Sequence, residues 1–146
     1  MVLSAKISEL DLTSDVVSCG VSTPISEVRE ILQQSEFGSI AVVEDNKVVG
    51  IFTERDYLKK IAGNESATSS QPVSEFMTKN PKSVSQRNHI TDVISLMDEG
   101  RFRHVLVIST AGELQSIISM RDIINYMKTS IDHLETNLQD LSASLS

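Results

Sequence analysis

Two short stretches of this 146-residue chain carry the same set of chemical groups. Thr53-Glu-Arg-Asp56 and Ser119-Met-Arg-Asp122 each place a hydroxyl three residues ahead of a carboxylate, with an arginine immediately before the aspartate. If the hydroxyl residue opens a helix, its oxygen and the free N–H groups of the first turn share one small volume that favours an anion such as a phosphate. The carboxylate, one turn on, offers only acceptors and so suits the two donors of a ribose diol. Arg55 and Arg121 could add forked donors to phosphate oxygens. The same spacing is an ordinary helix-capping pattern, and one copy alone would favour that reading. Two copies at equivalent places, each with its arginine, favour a nucleotide.

Other chemistry has little support. His89, His104 and His133 are scattered without metal-ligand spacing, and neither a glycine-rich phosphate loop, a cysteine pair nor a nucleophile–base set is present. The expectation is a protein that is not an enzyme and holds no metal or catalytic cofactor. Cys19 reads as a small buried apolar residue rather than a reactive thiol.

The elements that position these groups are written twice. A shift of 65 residues lays Ile25-Ser-Glu-Val28 on Ile90-Thr-Asp-Val93, Ile31 on Leu96, Leu32 on Met97, Phe37 on Phe102, and Ile40–Val43 on Val105–Ile108. Beyond that strand the shift becomes 66 and brings Thr53 onto Ser119 and Asp56 onto Asp122. The extra residue falls in a turn, where Glu44–Lys47 faces the longer Ser109–Glu113. The lead-ins Ile7-Ser-Glu-Leu10 and Val73-Ser-Glu-Phe76 match as well. An ordered series with its one insertion at a turn marks an internal duplication.

Each copy reads strand, helix, strand, strand, helix. Val28, Ile31 and Leu32 form one apolar helix face, and Ile40–Val43 is an unbroken β-branched run suited to a strand covered on both sides. Asp45-Asn46 supplies turn chemistry before the return strand Val48–Phe52, and a helix follows from Thr53 to about Ala62. Residues 1–63 read as the first repeat, the polar stretch 64–72 as a linker, 73–128 as the second repeat and 129–146 as a C-terminal amphipathic helix. The fold class is α/β (α+β), with two βαββα units packed sheet to sheet about a pseudo-twofold axis and helices outside.

Composition bounds the setting. Hydrophobic residues make up 40% of the chain but aromatics only 4%, so aliphatic side chains must fill the core. A formal charge of −7 argues against nucleic acid or an anionic membrane as a general partner. The apolar runs are too short to span a bilayer, Met1–Leu10 lacks a signal pattern, and the single cysteine fits a reducing compartment. These point to a cytoplasmic protein. At the end of the chain, Met127, Ile131, Leu134, Leu138, Leu141 and Leu145 step by 4, 3, 4, 3 and 4, a heptad seam expected to support a homodimer.

The β-α-β-β-α order, the segment Gly50-Ile-Phe-Thr-Glu-Arg-Asp56, the edge Met77-Thr-Lys-Asn-Pro81 and Arg103-His104 leading into a strand together resemble the tandem CBS domains of bacterial stand-alone proteins. The resemblance covers residues 5–128. It implies a regulatory module that binds AMP, ADP or ATP (AMP foremost) in a cleft between the repeats, reports energy or metabolite state, and acts on a regulated partner protein. S-adenosylmethionine or NADH as the ligand, and a ligand-free dimerisation scaffold, are the alternatives. Carried over residue by residue, Thr53, Arg55 and Asp56 belong to one site, and Ser119, Arg121 and Asp122 to the other. Arg103 and His104 stand where phosphate is contacted, while Arg101 reads as a helix-end charge. The resemblance places adenine beside the first strands, around Val17 to Cys19 and Ser83 to Val84, closed by Ile40 or Val105 and by Ile51, Ile117 and Ile118. Two features depart from the family pattern. Arg103-His-Val-Leu106 stands where a proline is common, and Ser116 replaces Gly50, a change tolerated wherever φ is negative.

Overall fold

The computed structural model describes residues 4–12, 16–35, 38–101 and 103–145; the repeat partners Phe37 and Phe102 lie outside them. In the first repeat, β1 (Ser18–Gly20), α1 (Ile25–Gln34), β2 (Ser39–Glu44), β3 (Lys47–Thr53) and α2 (Glu54–Lys60) follow in order. A single helical turn, α3 (Glu65–Thr68), and a two-residue strand, β4 (Thr78–Lys79), lead to the second repeat. There β5 (Ser83–Val84), α4 (Ile90–Gly100), β6 (His104–Ile108), β7 (Leu114–Ser119) and α5 (Met120–Leu145) repeat the pattern.

The duplication persists in atomic detail. β1 runs parallel to β2 with Ser18 opposite Ala41, and β5 runs parallel to β6 with Ser83 opposite Leu106. Both hairpins carry a register shift at the same place, between Val42 and Val43 and between Val107 and Ile108. In the first hairpin Asp45 and Asn46 both take positive φ, as a two-residue turn matched to strand twist requires. The longer second turn reaches the same strand pairing through Gly112, also at positive φ.

Alternation along the strands divides the apolar residues between three clusters. Cys19, Ile40, Val42 and Phe52 face α1 with Val28 and Leu32. Val84, Val105, Val107 and Ile118 face α4 and α5 with Val93, Met97 and Ile123. The intervening residues Ala41, Leu106 and Ile117, with Ile51 and Val48, form the layer between the two sheets. The Val48 N–H donates across this layer to the Gly112 carbonyl at 3.1 Å.

The lead-in segments are exchanged. Ile7 and Ser8 N–H donate to Asn88 and Gln86 carbonyls of the second repeat, and Ile90 N–H donates back to Ala5. In the mirror arrangement, Val73 and Ser74 N–H donate to Thr23 and Val21 of the first repeat, and Ile25 N–H donates to Gln71. Ile7 is sealed in the second repeat's core and Val73 in the first's. Each unit is thus completed by backbone from ahead of the other.

Gly50 has negative φ, and so does Ser116. Space rather than φ favours glycine at 50: a Cβ there would lie 2.4 Å from Met77 Sδ and 3.1 Å from the Thr78 carbonyl. Both obstacles belong to the β4 segment, which pairs with β3 at Gly50 and Ile51. Helix α5 runs without a break from the end of β7 through Leu145, about 39 Å at 1.5 Å per residue. From Ile131 onward every described residue is exposed, so the helix stands clear of its own module.

Candidate functional site

Each paired motif sits where a strand of the central hairpin turns into a helix. Thr53 closes β3 in extended conformation and caps α2. The Thr53 N–H and hydroxyl both donate to Asp56 Oδ2, at 3.1 and 3.2 Å, while the Asp56 N–H donates to Thr53 Oγ1 at 3.1 Å. Ser119 and Asp122 reproduce this geometry at 2.8, 3.0 and 3.1 Å. A second shared bond ties each helix start to the strand beside it: Glu54 N–H donates to Gly38, and Met120 N–H to Arg103. Capping is therefore complete in both copies, and it consumes only one carboxylate oxygen of each aspartate.

The other oxygen distinguishes the sites. Asp56 Oδ1 lies 3.2 Å from Lys60 Nζ and accepts from the Thr78 hydroxyl at 3.3 Å. Lys60 also donates to the Phe76 carbonyl at 2.7 Å, so the β4 segment and α2 close over Asp56 together. The repeat shift puts Tyr126 at the place of Lys60 and Leu12 at the place of Thr78. Both of these pack on the second repeat's apolar core instead. Among the described residues no group donates to Asp122 Oδ1.

Charge around the second site comes from both repeats. Arg103 and Arg121 are exposed, and His104 is half-buried. Burial pushes the His104 imidazole below its usual pKa, partly opposed by the nearby carboxylates of Asp122 and Glu54 and reinforced by Arg103. Glu54 belongs to the first repeat, so His104 lies where the repeats meet. Arg101 ends α4 as its cap, in a left-handed conformation with φ 54°.

The residues expected around adenine separate into two sets. Ile51 and Ile117 face the layer between the sheets. Ile40, Val105 and Ile118 are fully buried and point instead into the two helix-covered cores, as do Cys19 and Val84. A slot closed by Ile40 or Val105 together with Ile51, Ile117 and Ile118 would thus draw on both faces of the strands, because successive strand side chains point to opposite faces. Val17 and Ser83 are half-buried at the strand starts. Burial pushes the Cys19 thiol up to about 11, against a weak opposing hydrogen bond from Thr23, so the thiolate nucleophile is scarce at neutral pH.

Three residues of the site neighbourhood were not among the expected ones. Lys60 and Thr78 fill Asp56, and the buried Ser39 hydroxyl, beside Thr53 in the β2–β3 register, has no hydrogen-bond partner. Ser39 occupies the place of His104 under the repeat shift, a signal present in the sequence. A concavity of about 290 Å³ lies elsewhere, between α1 and α2 on the outer face, lined by Arg29, Leu32, Gln33, Glu54 and Tyr57. Among the described residues no cluster of three or more His, Cys, Asp or Glu could hold a metal ion, and no helix is long and apolar enough to cross a membrane.

Comparison with known proteins agrees with this architecture. An uncharacterized 17.7 kDa protein of Acidianus ambivalens is 34% identical over 122 residues, covering 83% of this chain and 72% of that one. Other curated relatives are longer, the chain spanning 32% of one and 25% of another. The crystal structure of a CBS-domain-containing protein from Agrobacterium tumefaciens matches with a TM-score of 0.75 at 34% identity, over 86% of this chain and 95% of that one. A CBS-domain protein from Pyrobaculum aerophilum, solved in complex with AMP, matches with a TM-score of 0.71 at 26% identity, over 81% and 89% of the two chains. The CBS-domain family model matches residues 7–63 and again 73–129, the two halves related by the repeat, and the chain belongs to the CBS-domain family as a tandem pair.

Proposed function

We propose that the tandem CBS module is a regulatory unit that binds an adenine nucleotide, with AMP as the first ligand to test, at the site built on Ser119 and Asp122. The observation that carries this reading is the open Oδ1 of Asp122, whose carboxylate lies near His104, in a motif whose capping bonds are already satisfied on Oδ2. Arg121 precedes it in the chain and Arg103 lies beside His104. A ribose diol would donate to Oδ1, and the arginines would meet the phosphate. The AMP complex of the Pyrobaculum protein supports the ligand class. At the Thr53/Asp56 site a ligand would first have to displace Lys60 and Thr78 from the aspartate. The reading includes no catalytic step.

The test is calorimetric titration of the purified chain with AMP, ADP, ATP, S-adenosylmethionine and NADH, read together with melting temperature. A ligand held at a hundredfold its dissociation constant stabilises the fold by about 2.7 kcal/mol. For a chain of this size that is a rise of roughly 5–10 °C. Silent titrations and flat melting curves across the whole panel would favour a ligand-free scaffold.

A further inference from the structure

Helix α5 exposes an apolar stripe longer than its own module can cover. Met120, Ile124, Ile131, Leu134, Leu138, Leu141 and Leu145 are all exposed, and half-buried Met127, which also packs on the second repeat's core, continues the line. Taken together they step by 4, 3, 4, 3, 4, 3 and 4, an unbroken a/d seam along the whole helix. Four of its hydroxyls are satisfied locally: Thr129, Ser130, Thr136 and Ser144 donate to carbonyls of the preceding turn.

Charge decides the orientation. Arg121 and Lys128 lie in the first half of α5, with Asp122 in its first turn, while Asp132, Glu135 and Asp140 follow in the rest. The second half therefore lacks the cations that the helix dipole favours toward a C-terminus. A parallel partner would stack the acidic segments on each other, and its edge positions would set Glu135 against Ser130 and Ser142 against Asn137, with no ion pair. An antiparallel partner answers both problems. With Ile131 opposite Leu134 of the second copy, Met127 meets Leu138, Ile124 meets Leu141, and Met120 meets Leu145, so every seam residue finds an apolar partner. In the same register Lys128 stands opposite Glu135 of the second copy, twice by symmetry, and Ser130 stands opposite Asn137. Arg121 meets the uncharged Ser142.

We infer that this chain self-associates through an antiparallel α5–α5 pair in that register, with Lys128 and Glu135 as its reciprocal ion pairs. The two CBS modules then sit at opposite ends of a shared two-helix rod, and the tip of each helix reaches Met120, directly after the Ser119 cap of its partner. This surface is independent of the nucleotide reading.

The full chain, measured by sedimentation across a concentration series, tests it. Each charge reversal, Lys128→Glu or Glu135→Lys, replaces two facing ion pairs with two like-charge pairs and weakens the dimer by about three- to tenfold. The double reversal restores it to within about twofold. Cysteine cross-linking reports the direction: Ile124→Cys with Leu141→Cys forms an intermolecular disulfide under mild oxidation, while Leu141→Cys alone does not. A monomer at all concentrations, reversals that leave the dimer unchanged, or efficient cross-linking of Leu141→Cys alone would each overturn the inference.

Discussion

Asp56 and Asp122 occupy the same place in two copies of one motif, yet the chain surrounds them differently. Lys60 and Thr78 hold the free oxygen of Asp56; Tyr126 and Leu12, at the corresponding places, leave that of Asp122 open. Asp122→Ala is therefore expected to weaken AMP binding by about 1–3 kcal/mol, roughly five- to a hundredfold, by removing the diol's acceptor. Asp56→Ala should change it by less than about twofold, both measured by titration on variants shown to be folded. Each substitution also removes a cap and lowers stability by about 1 kcal/mol. Tyr126→Lys, which restores the closing lysine, should mimic the Asp122 loss in binding without loss of the cap. His104 adds a pH dependence. Its folded pKa is depressed by burial, so the unfolded chain binds the proton more readily. The contribution is present above about pH 6.5 and is lost as pH falls below that value. A His104→Asn variant should accordingly show a shallower loss of melting temperature between pH 7 and 5. The paired motifs were legible from residue type and spacing alone. The inequality between the sites was not, although every residue that causes it can be read: it depends on β4 crossing to β3, a contact 22 residues long that no local pattern announces.

At the scale of elements, the two repeats are less separate in space than along the chain. Helices α1 and α2 and the β2–β3 hairpin follow from apolar period and turn residues, and they form within a residue or two of where those signals place them. The exchange of lead-ins has no such signal, because Ile7-Ser-Glu and Val73-Ser-Glu look alike whichever unit they join. Ile7 is 1% exposed among Ile90, Val93 and Ile118 in the second repeat's core. Ile7→Ala should cost about 2–5 kcal/mol as transfer and cavity terms combine. Its local signature should be faster hydrogen exchange at the Ile90 amide, which donates to Ala5, with the Ile25 amide of the first repeat less affected. Equal loss of protection at both amides would mean that the repeats open as one unit. The adenine residues show a comparable limit. Their strands were legible, but which face each side chain takes depends on register, and a one-residue difference separates Ile117 between the sheets from Ile118 in the core.

For the whole molecule, stability should depend on the amount of protein present. A helix of this length is marginal in water without a surface, and residues 131–145 gain none from their own module. If the seam is paired, folding of that segment and association are one equilibrium, and mass action makes the melting transition rise with concentration. A chain truncated after Lys128 keeps both cores, since Ile123, Tyr126 and Met127 remain. It should melt at a temperature that is unchanged between dilute and concentrated samples, while the full chain shifts upward by several degrees over a hundredfold range. Added AMP should raise both proteins by a similar increment, because the Ser119/Asp122 site lies ahead of the cut. The two effects are thereby separable in one experiment: concentration reports the helix seam, and ligand reports the aspartate. A truncated chain that still melts higher when concentrated would place the subunit contact on the CBS repeats themselves rather than on α5.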